Sequence, residues 1–324
     1  MNQPSENMNP DLISGRRNAG NFLRLRHLRM LELVADGGSL AAAARTLHLS
    51  QPAITKMLQE MEAVFGTMLV TRGARGGRLT ADGEAVLQRL RIALAQFDIA
   101  LAGDGNDDGR PLLRIGMLPV VSVALLPQIM RNLTRDAPAP RLTVMESNVS
   151  GLLDALSTGR IDCIISRPDA EALAKLDGLD VTIVPVYEEP LAIACPLAHP
   201  FADARRISTE QLQREEWIVP HAGTDTRRAF DALFVDHGLM PPRPLVESMS
   251  FHTNLQMADA LGALTVAPQS AVLHYARMGV IRRVGGFPVM PVGEIALIHL
   301  ATMTGLPALQ RFRDAVEAAA HTRR

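Results

Sequence analysis

The stretch at residues 39–66 constrains the fold of this chain more than any other, and it reads SLAAAARTLHLSQPAITKMLQEMEAVFG. Ser39 and Ser50 can each cap a helix, because a serine hydroxyl accepts a hydrogen bond from an amide that the helix leaves unsatisfied. Pro52 falls in the first turn of the second helix, where its missing amide costs little. We therefore predict a helix-turn-helix, with a pair of amphipathic surface helices packed on a core as the alternative.

The second of these helices has one apolar and one polar face. Its apolar residues recur at helical spacing and predict a buried stripe made of Ile54, Met57, Leu58 and Met61. The outward face offers two amides, a hydroxyl and a cation, carried by Gln51, Gln59, Thr55 and Lys56. Because such groups contact base edges and phosphates, the pattern predicts that this helix enters the major groove of DNA.

The segments on either side complete a winged helix-turn-helix domain over residues 22–80. Residues 1–21 are polar and without periodicity, so we expect a disordered tail there, followed by a supporting helix that ends at glycines 37 and 38. Beyond Gly66, two short extended pieces flank a tip rich in arginine and glycine, and this ribbon carries Arg72, Arg75 and Arg78. Arginines on such a ribbon suit contact with phosphates or a minor groove, and a solvated turn is the alternative.

A long helix is predicted over residues 81–102, and Thr80 can cap it. Its apolar residues recur at steps of three and four: Val86, Leu90, Ala93 or Leu94, Phe97 and Leu101. Such a seam lets two chains pair, although burial against the first helix of the same chain explains it as well. We expect a homodimer, because symmetric DNA half-sites mirror a two-fold protein. Residues 103–111 are a hinge by composition.

From residue 112 the pattern changes to short β-rich runs separated by helical segments. Strands that alternate with helices predict βαβ units and parallel sheets covered on both faces. The order is duplicated, since LRIG, LTVMES and DCIIS are echoed by WIVP, PLVES and ALTVAP. We therefore predict two α/β lobes joined by two crossing strands, residues 112–187 with 290–324 and residues 188–289, and a ligand cleft between them.

The composition narrows the function classes. The net charge is −1, but residues 22–100 carry ten basic against seven acidic side chains, an excess that suits a DNA-binding segment. No apolar run reaches the roughly 20 residues that a bilayer span needs, and the chain opens on no export signal, so a cytoplasmic protein is expected. Cys163 and Cys195 lie in strand-like runs and are interpreted as core residues, with a redox pair as the alternative.

The sequence lacks the motifs that would indicate an enzyme or a metal site. GxSxG, HExxH, a P-loop and a Rossmann glycine fingerprint are absent, and the nine histidines show no metal-ligand spacing. The loop that begins at Asp104 matches half of a calcium site, yet Ile115 stands at the twelfth position, where a bidentate acid is required. We expect no catalytic residue, no metal and no cofactor.

Three stretches resemble the LysR-type transcriptional regulators: GGSLAAAARTLHLSQPAITKMLQEMEAVFG, LVTRGARGGRLTADG and GALTVAP. The resemblance covers about residues 22–320 and implies a winged helix-turn-helix, a dimerising linker helix and an effector domain like a type 2 periplasmic binding protein. The stretch LRIGMLPVVSVALLP looks like regulators of aromatic-acid catabolism or sugar uptake. By position, the residues that touch DNA in the family are Ser39, Gln51, Pro52, Thr55 and Lys56, with Thr55 where serine is usual.

The same resemblance places the effector cleft at segments that follow the strands of both lobes. The residues implied are Pro119, Val120, Ser122, Asn148, Val149, Ser150 and Arg167 in the first lobe, and Thr224, Arg227, Ser250, Phe251, His252, Thr253 and Pro268 in the second. Ser122 and Ser150 would lie near helix N-termini, whose amides favour an anion. Arg167, Arg227 and His252 are cations available to a carboxylate or phosphate. Val120 and Val149 add an apolar wall, so a small amphipathic acid is expected, with ordinary caps and surface charges as the alternative.

These patterns together predict a transcription regulator that responds to a small-molecule effector. It would bind an interrupted dyad in double-stranded promoter DNA as a homodimer or homotetramer, with RNA polymerase as a further candidate partner and no membrane. Two other functions stay open at this point: an α/β enzyme on a DNA tether, and a DNA-organising protein without a ligand, which would have no need of a cleft.

Overall fold

The computed structural model describes residues 23–37, 39–73, 76–102, 110–169, 173–176 and 179–321. The expected tail at residues 1–21, Arg75 and most of the hinge lie outside these ranges. The chain separates into two compact units, one made mainly of residues before 110 and the other mainly of residues from 110 onward. No helix in the described ranges has the length and apolarity that a membrane span requires.

The described part of the first unit is a set of helices with a β-ribbon. Its elements are α1 (Leu25–Gly37), α2 (Leu40–Thr46), α3 (Gln51–Phe65), β1 (Val70–Gly73), β2 (Gly76–Leu79) and α4 (Ala81–Ala102). The two strands pair antiparallel, with Val70 opposite Leu79. The predicted winged helix-turn-helix and the long helix after it are therefore confirmed.

Local capping and one apolar stripe organise the helix-turn-helix. The Ser39 hydroxyl accepts a hydrogen bond from the amide of Ala42 at 3.1 Å, and that of Ser50 accepts one from Ala53 at 3.4 Å. α3 ends at Phe65, and the φ of 72° at its C-cap Gly66 is left-handed and suits glycine. The predicted stripe of α3 is buried in one core with side chains of α1 and α2, namely Met30, Leu31, Val34, Ala43 and Ala44.

The apolar seam of α4 divides between two environments. Leu87 is buried in the core of the first unit, and Val86 and Leu90 pack against that core. Phe97 and Leu101 are exposed, with relative solvent accessibilities of 41% and 67%. Packing within the chain therefore accounts for the first half of the seam, while the second half keeps an apolar surface without such packing.

The second unit contains two lobes, each with one five-stranded sheet. Its elements in chain order are β3 (Leu112–Met117), α5 (Pro119–Leu133), β4 (Arg141–Glu146), α6 (Val149–Ser157), β5 (Cys163–Ser166), β6 (Val181–Glu188), β7 (Leu191–Pro196), α7 (Thr209–Gln213), β8 (Trp217–Val219), α8 (Asp225–Val235), β9 (Val246–Glu247), α9 (Phe251–Leu261), β10 (Leu264–Pro268), α10 (Gln269–Arg277), β11 (Ile281–Arg283), β12 (Glu294–Leu300) and α11 (Pro307–His321). The strand order is β4-β3-β5-β12-β6 in lobe 1 and β11-β7-β10-β8-β9 in lobe 2.

Both sheets are mixed, which corrects the expectation of parallel sheets. β3 runs parallel to β4 and β5, but β12 is antiparallel to β5 and β6, and β7 is antiparallel to β10 and β11. The reason is that the chain crosses between the lobes twice. The strand that enters a lobe at each crossing, β7 in lobe 2 and β12 in lobe 1, runs antiparallel to the strands of the βα units in that lobe. Met290 pairs with Leu191 of lobe 2, so the return crossing lies between Met290 and Glu294.

Candidate DNA-binding face and effector cleft

The outward face of α3 presents the polar residues that the sequence assigned to DNA. Four of them line one shallow surface groove of about 510 Å³ together with Leu40 and Pro52: Gln51, Thr55, Lys56 and Gln59. The Lys56 side chain is 78% exposed. A helix with one buried stripe can offer such a row of polar groups, because residues three and four apart lie on one face. The groove is therefore the candidate DNA-binding face.

Among the other predicted DNA contacts, Ser39 and Arg78 do not line this groove, and the remaining two lie wholly or partly outside the described residues. Ser39 is half-buried, and its hydroxyl oxygen caps α2. Arg78 is exposed on β2, where it stands opposite Thr71 in the ribbon. The backbone of Arg72 belongs to β1, whereas its side chain and all of Arg75 lie outside the described structure.

An acidic residue that the sequence reading missed ties α3 to α1. The imidazole of His27 is nearly fully buried, and its Nε2 lies 3.0 Å from a carboxylate oxygen of Glu60. Its Nδ1 accepts a hydrogen bond from the amide of Arg24 at 2.9 Å, so Nε2 is the donor toward Glu60. This hydrogen bond lowers the pKa of the Glu60 carboxyl. The signal in the sequence was the spacing of Lys56 and Glu60, whose charged groups lie 3.9 Å apart across one helical turn.

Among the buried side-chain polar atoms of the described structure that have no hydrogen-bond partner, three lie on two neighbouring segments of lobe 1. They are the hydroxyl oxygens of Ser122 and Ser166 and the Nε of Arg167. Ser122 lies in the first turns of α5, and Ser166 and Arg167 are consecutive residues at the end of β5. The amide of Leu118, just before α5, donates to the carbonyl of Ile165 at 3.3 Å, which brings these two chain segments together.

Arg167 is a mostly buried cation at this place. Burial lowers the pKa of its guanidinium, while the carboxylates of Asp225 and Glu189 act in the opposite direction. One of its terminal nitrogens donates to the backbone carbonyl of Glu189 at 3.3 Å. The carboxylate of Glu189 accepts a hydrogen bond from the amide of Ser270 at 2.9 Å and so caps α10. The crossing residue Glu189 therefore touches both Arg167 of lobe 1 and a helix of lobe 2.

The predicted positions after β4 include a helix cap. The side-chain oxygen of Asn148 accepts from the amide of Gly151 at 2.8 Å, and Val149 and Ser150 form the first turn of α6. In the neighbouring α5 the N-cap Leu118 supplies no side-chain hydrogen bond, and Pro119 and Val120 begin the helix. Because uncapped amides at a helix N-terminus attract anions, the start of α5 is the more open of the two.

On lobe 2 most of the predicted residues have local partners. Thr224 and Ser250 accept hydrogen bonds from the amides of Arg227 and Thr253 at 3.2 Å each, and so cap α8 and α9. His252 lies 2.8 Å from the hydroxyl of Tyr275 and stacks on Phe251, and burial lowers its pKa. Pro268 is the buried residue just before α10. These are the ordinary cap and packing roles that the sequence left as the alternative.

Arg227 corrects the expectation of an available cation. Its guanidinium donates to Asp231 at 3.0 Å, to Glu247 at 2.6 Å and to the carbonyl of Pro220 at 3.2 Å, and its side chain is 13% exposed. The physical reason is that Asp231 stands one helical turn away and β9 brings Glu247 alongside. Arg167 and Arg227 looked equivalent in the sequence, yet of the two only Arg167 has a buried donor without a partner among the described residues.

The two lobes also meet through charged side chains that the sequence did not single out. Arg228 on α8 lies 3.9 Å from Asp169, which follows β5 of lobe 1, and it also pairs with Asp225. A small cavity of about 80 Å³ lies between Val120, Val123 and Ala124 of α5 and residues of α9 and α10. In the described residues no three His, Cys, Asp or Glu side chains are grouped to hold a metal ion.

Both cysteines are core residues, as expected. Cys163 on β5 and Cys195 on β7 are fully buried and not joined in a disulfide. Burial raises the pKa of Cys163 well above its ordinary value and that of Cys195 to about 11. Because the thiolate is the reactive form, both environments suppress thiol chemistry.

Comparison with protein families gives one match in each part of the chain. Residues 25–84 match the bacterial regulatory helix-turn-helix protein of the lysR family. Residues 106–320 match the LysR substrate binding domain. The two matches follow the order of the winged helix-turn-helix and the two-lobed domain.

Individual proteins with this arrangement are similar along most of their length. The uncharacterized HTH-type transcriptional regulator YdcI of Escherichia coli (strain K12) is 28% identical over 290 residues, which cover 87% of this chain and 92% of that protein. A probable hydrogen peroxide-inducible genes activator of Mycobacterium avium is 29% identical over 249 residues, 76% of this chain and 78% of that protein. A full-length OxyR variant from Pseudomonas aeruginosa has a TM-score of 0.59 and 27% identity, covering 91% of this chain and 97% of that one.

Proposed function

The chain belongs to the LysR family of transcriptional regulators, and we propose that it controls transcription from promoter DNA in response to a small organic anion held by Arg167. As a member of the family it is a DNA-binding regulator with an effector-binding domain, rather than an enzyme. The observation that supports the anion is the group of buried, unpartnered polar atoms on Ser122, Ser166 and Arg167.

The chemistry of this group favours a carboxylate. Buried polar atoms in folded proteins nearly always have partners, so atoms that lack one mark a place for a ligand. A guanidinium offers a planar fork of donors that matches a carboxylate, and hydrogen bonds between charged groups are the strong ones. The uncapped start of α5 adds a favourable field for negative charge. Since Val120 supplies apolar surface nearby, a small amphipathic acid, including an aromatic acid, fits better than a polyol.

Binding at Arg167 would act on the residue that joins the lobes. Arg167 donates to the carbonyl of Glu189, and the Glu189 carboxylate caps α10 of lobe 2. A ligand that draws the guanidinium toward itself changes this link, and it also changes the charge balance around Asp169 and Arg228. The effector would thereby bias lobe closure and the spacing of the DNA-binding units, as a differential affinity for two states requires.

The proposed assembly is a homodimer or homotetramer on an interrupted dyad, in the cytoplasm where that DNA lies. Phe97 and Leu101 leave an exposed apolar surface at the end of α4, and pairing of two such helices would bury it. A single helix-turn-helix binds weakly, whereas two related by a two-fold axis read two half-sites.

Replacing Lys56 with glutamine should weaken binding to specific DNA by about tenfold or more, because a good contact to a base edge or phosphate is worth about 1–3 kcal/mol. Thr55→Val, which removes a hydroxyl at nearly constant volume, should weaken it by about fivefold for the same reason. The measurement is the dissociation constant for a site that the wild-type protein selects from a random DNA library.

The matched control is Lys175→Gln, which removes the other lysine of the chain and changes the net charge equally. It should leave the affinity within twofold of wild type, and all variants should unfold at the wild-type temperature. If the Lys56 variant and the control bound DNA with equal affinity, the proposal that α3 contacts DNA would be refuted.

A thiol-based response is the alternative that the name of the Mycobacterium avium relative raises, and it makes a different prediction. Both thiols of the native chain should react with a thiol reagent such as DTNB at least about 100-fold more slowly than free cysteine, because burial keeps them protonated and out of reach. Unfolding in guanidinium should restore full reactivity of both. A native thiol that reacts at the rate of free cysteine would reopen redox sensing.

A further inference from the structure

Two Arg-Arg pairs that are far apart in the sequence come together at one edge of lobe 2. Arg205 and Arg206 lie in the loop before α7, and Arg282 and Arg283 lie on β11. β11 is the outermost strand of the lobe 2 sheet. Two of these side chains belong to a loop and two to an edge strand, so the four arginines share the rim of the sheet. We call them the arginine edge.

The contact that joins the two pairs is made by a glycine. A Cβ on Gly286 would lie 2.7 Å from the amide nitrogen of Arg206 and 2.9 Å from the carbonyl carbon of Arg205, so this residue rests directly on the peptide between them. Gly286 follows Arg283 by three residues, and three residues of extended chain reach at most about 10 Å. The Arg-Arg pairs are therefore neighbours in space.

The charge of the arginine edge is not neutralised within the described structure. Arg205, Arg206 and Arg282 are exposed, Arg283 is half-buried, and none of the four has a carboxylate within 4 Å among the described residues. The arginines of α8 in the same lobe behave differently, since Arg227 and Arg228 are held by carboxylates. The loop also carries Asp203, which is exposed, so the local excess of charge is positive.

From this juxtaposition we propose that the arginine edge binds the phosphate backbone of the DNA that the same protein holds with α3. Guanidinium groups present planar donors that match phosphate oxygens, and arginine is the residue of choice for such contacts. Successive side chains of a strand point to opposite faces of the sheet, so the arginine edge has cations on both faces. Cations spread in this way suit an extended polyanion such as DNA better than one small ion. DNA already bound by α3 raises the local concentration of phosphate, so a weak second contact becomes effective.

The test is the salt dependence of DNA binding by the full chain, since each phosphate contact contributes about 0.9 to the slope of log affinity against log salt. The variant replaces all four arginines of the edge with glutamine and is measured on a 60-base-pair fragment containing the selected site. We expect its slope to fall by about 2 to 4, and Arg282→Gln with Arg283→Gln alone to produce about half of that fall.

The matched control changes four other exposed arginines of the second unit to glutamine: Arg131, Arg135, Arg214 and Arg243. These residues also lack a carboxylate within 4 Å among the described residues, and the control loses the same charge. Its slope should stay within about 0.5 of wild type. An equal fall in variant and control would overturn the proposal, because it would reflect net charge alone. An unchanged slope in the edge variant would also overturn it, even if promoter activation were lost, since that result would indicate an acidic protein partner.

Discussion

Gly83→Ala is expected to destabilise the DNA-binding unit by about 3 kcal/mol or more, although glycine to alanine in a helix ordinarily stabilises by about 1 kcal/mol. Gly83 lies in the first turn of α4, and a Cβ there would be 2.1 Å from the carbonyl oxygen of Leu69. The clashing atom belongs to the backbone, and the same carbonyl accepts a hydrogen bond from the amide of Thr80 at 3.0 Å. The backbone at Leu69, just before β1, cannot move away without breaking that hydrogen bond. The steric clash therefore costs more free energy of unfolding than overpacking a core usually does.

The measurement is calorimetric unfolding of the full chain, because two units need not unfold in one transition. The transition of the DNA-binding unit should move to lower temperature, and specific DNA affinity should fall with it. Gly305→Ala is the matched control, since a Cβ there meets no atom within 4 Å and its φ is not in the left-handed region. It should change stability by less than about 0.5 kcal/mol. Wild-type unfolding of the Gly83 variant would mean that α4 does not approach β1 so closely.

Arg167→Gln is expected to abolish the response to a carboxylate effector. The substitution removes the buried guanidinium that we propose holds the carboxylate, and hydrogen bonds to charged groups are worth about 1.5–3 kcal/mol each. The wild-type chain should be stabilised by about 2.7 kcal/mol at a hundred times the dissociation constant of its ligand. The variant should gain less than about 0.5 kcal/mol at the same concentration. The measurement is a thermal-shift screen of small carboxylates, beginning with benzoate and including sugars as the negative class.

Arg227→Gln is the control that separates an effector site from an ion pair. It should lower the stability of the ligand-free chain, because Asp231 and Glu247 lose their partner, but it should keep the carboxylate response. Arg167→Lys retains the charge without the planar fork, and an intermediate response is expected. A response that is lost in the Arg227 variant and kept in the Arg167 variants would refute the assignment to lobe 1.

Much of the fold could be predicted from the sequence because its signals are local. The serine caps, the stripe on α3 and the ribbon after Gly66 depend on residues within one or two turns of each other. The alternation of strands and helices indicated two lobes in the same way. The direction of β12 could not be predicted, since it depends on a return crossing from a lobe more than a hundred residues long.

The candidate site could be predicted only in part. The segments after β3 and β5 were found, but Ser166 was missed, although its signal was visible as a polar residue at the end of the buried run CIIS. Arg167 and Arg227 could not be ranked, because the availability of a cation depends on the carboxylates that packing brings beside it. Glu189 was missed for the same reason, since its partners lie on other elements, and Glu60 was missed although Lys56 stands one helical turn before it.

Local sequence signals are sufficient for the elements of this protein, for the polar row on α3 that we propose faces DNA, and for membership of a family of regulators. Those properties follow from periodicity, capping and motif, which act over a few residues. Three properties required the folded chain: Gly83 must lack a side chain, Arg167 rather than Arg227 keeps a buried open donor, and two Arg-Arg pairs form one edge. These facts depend on burial and on distances between segments far apart in the chain, because a side chain's free energy is set by its neighbours in space.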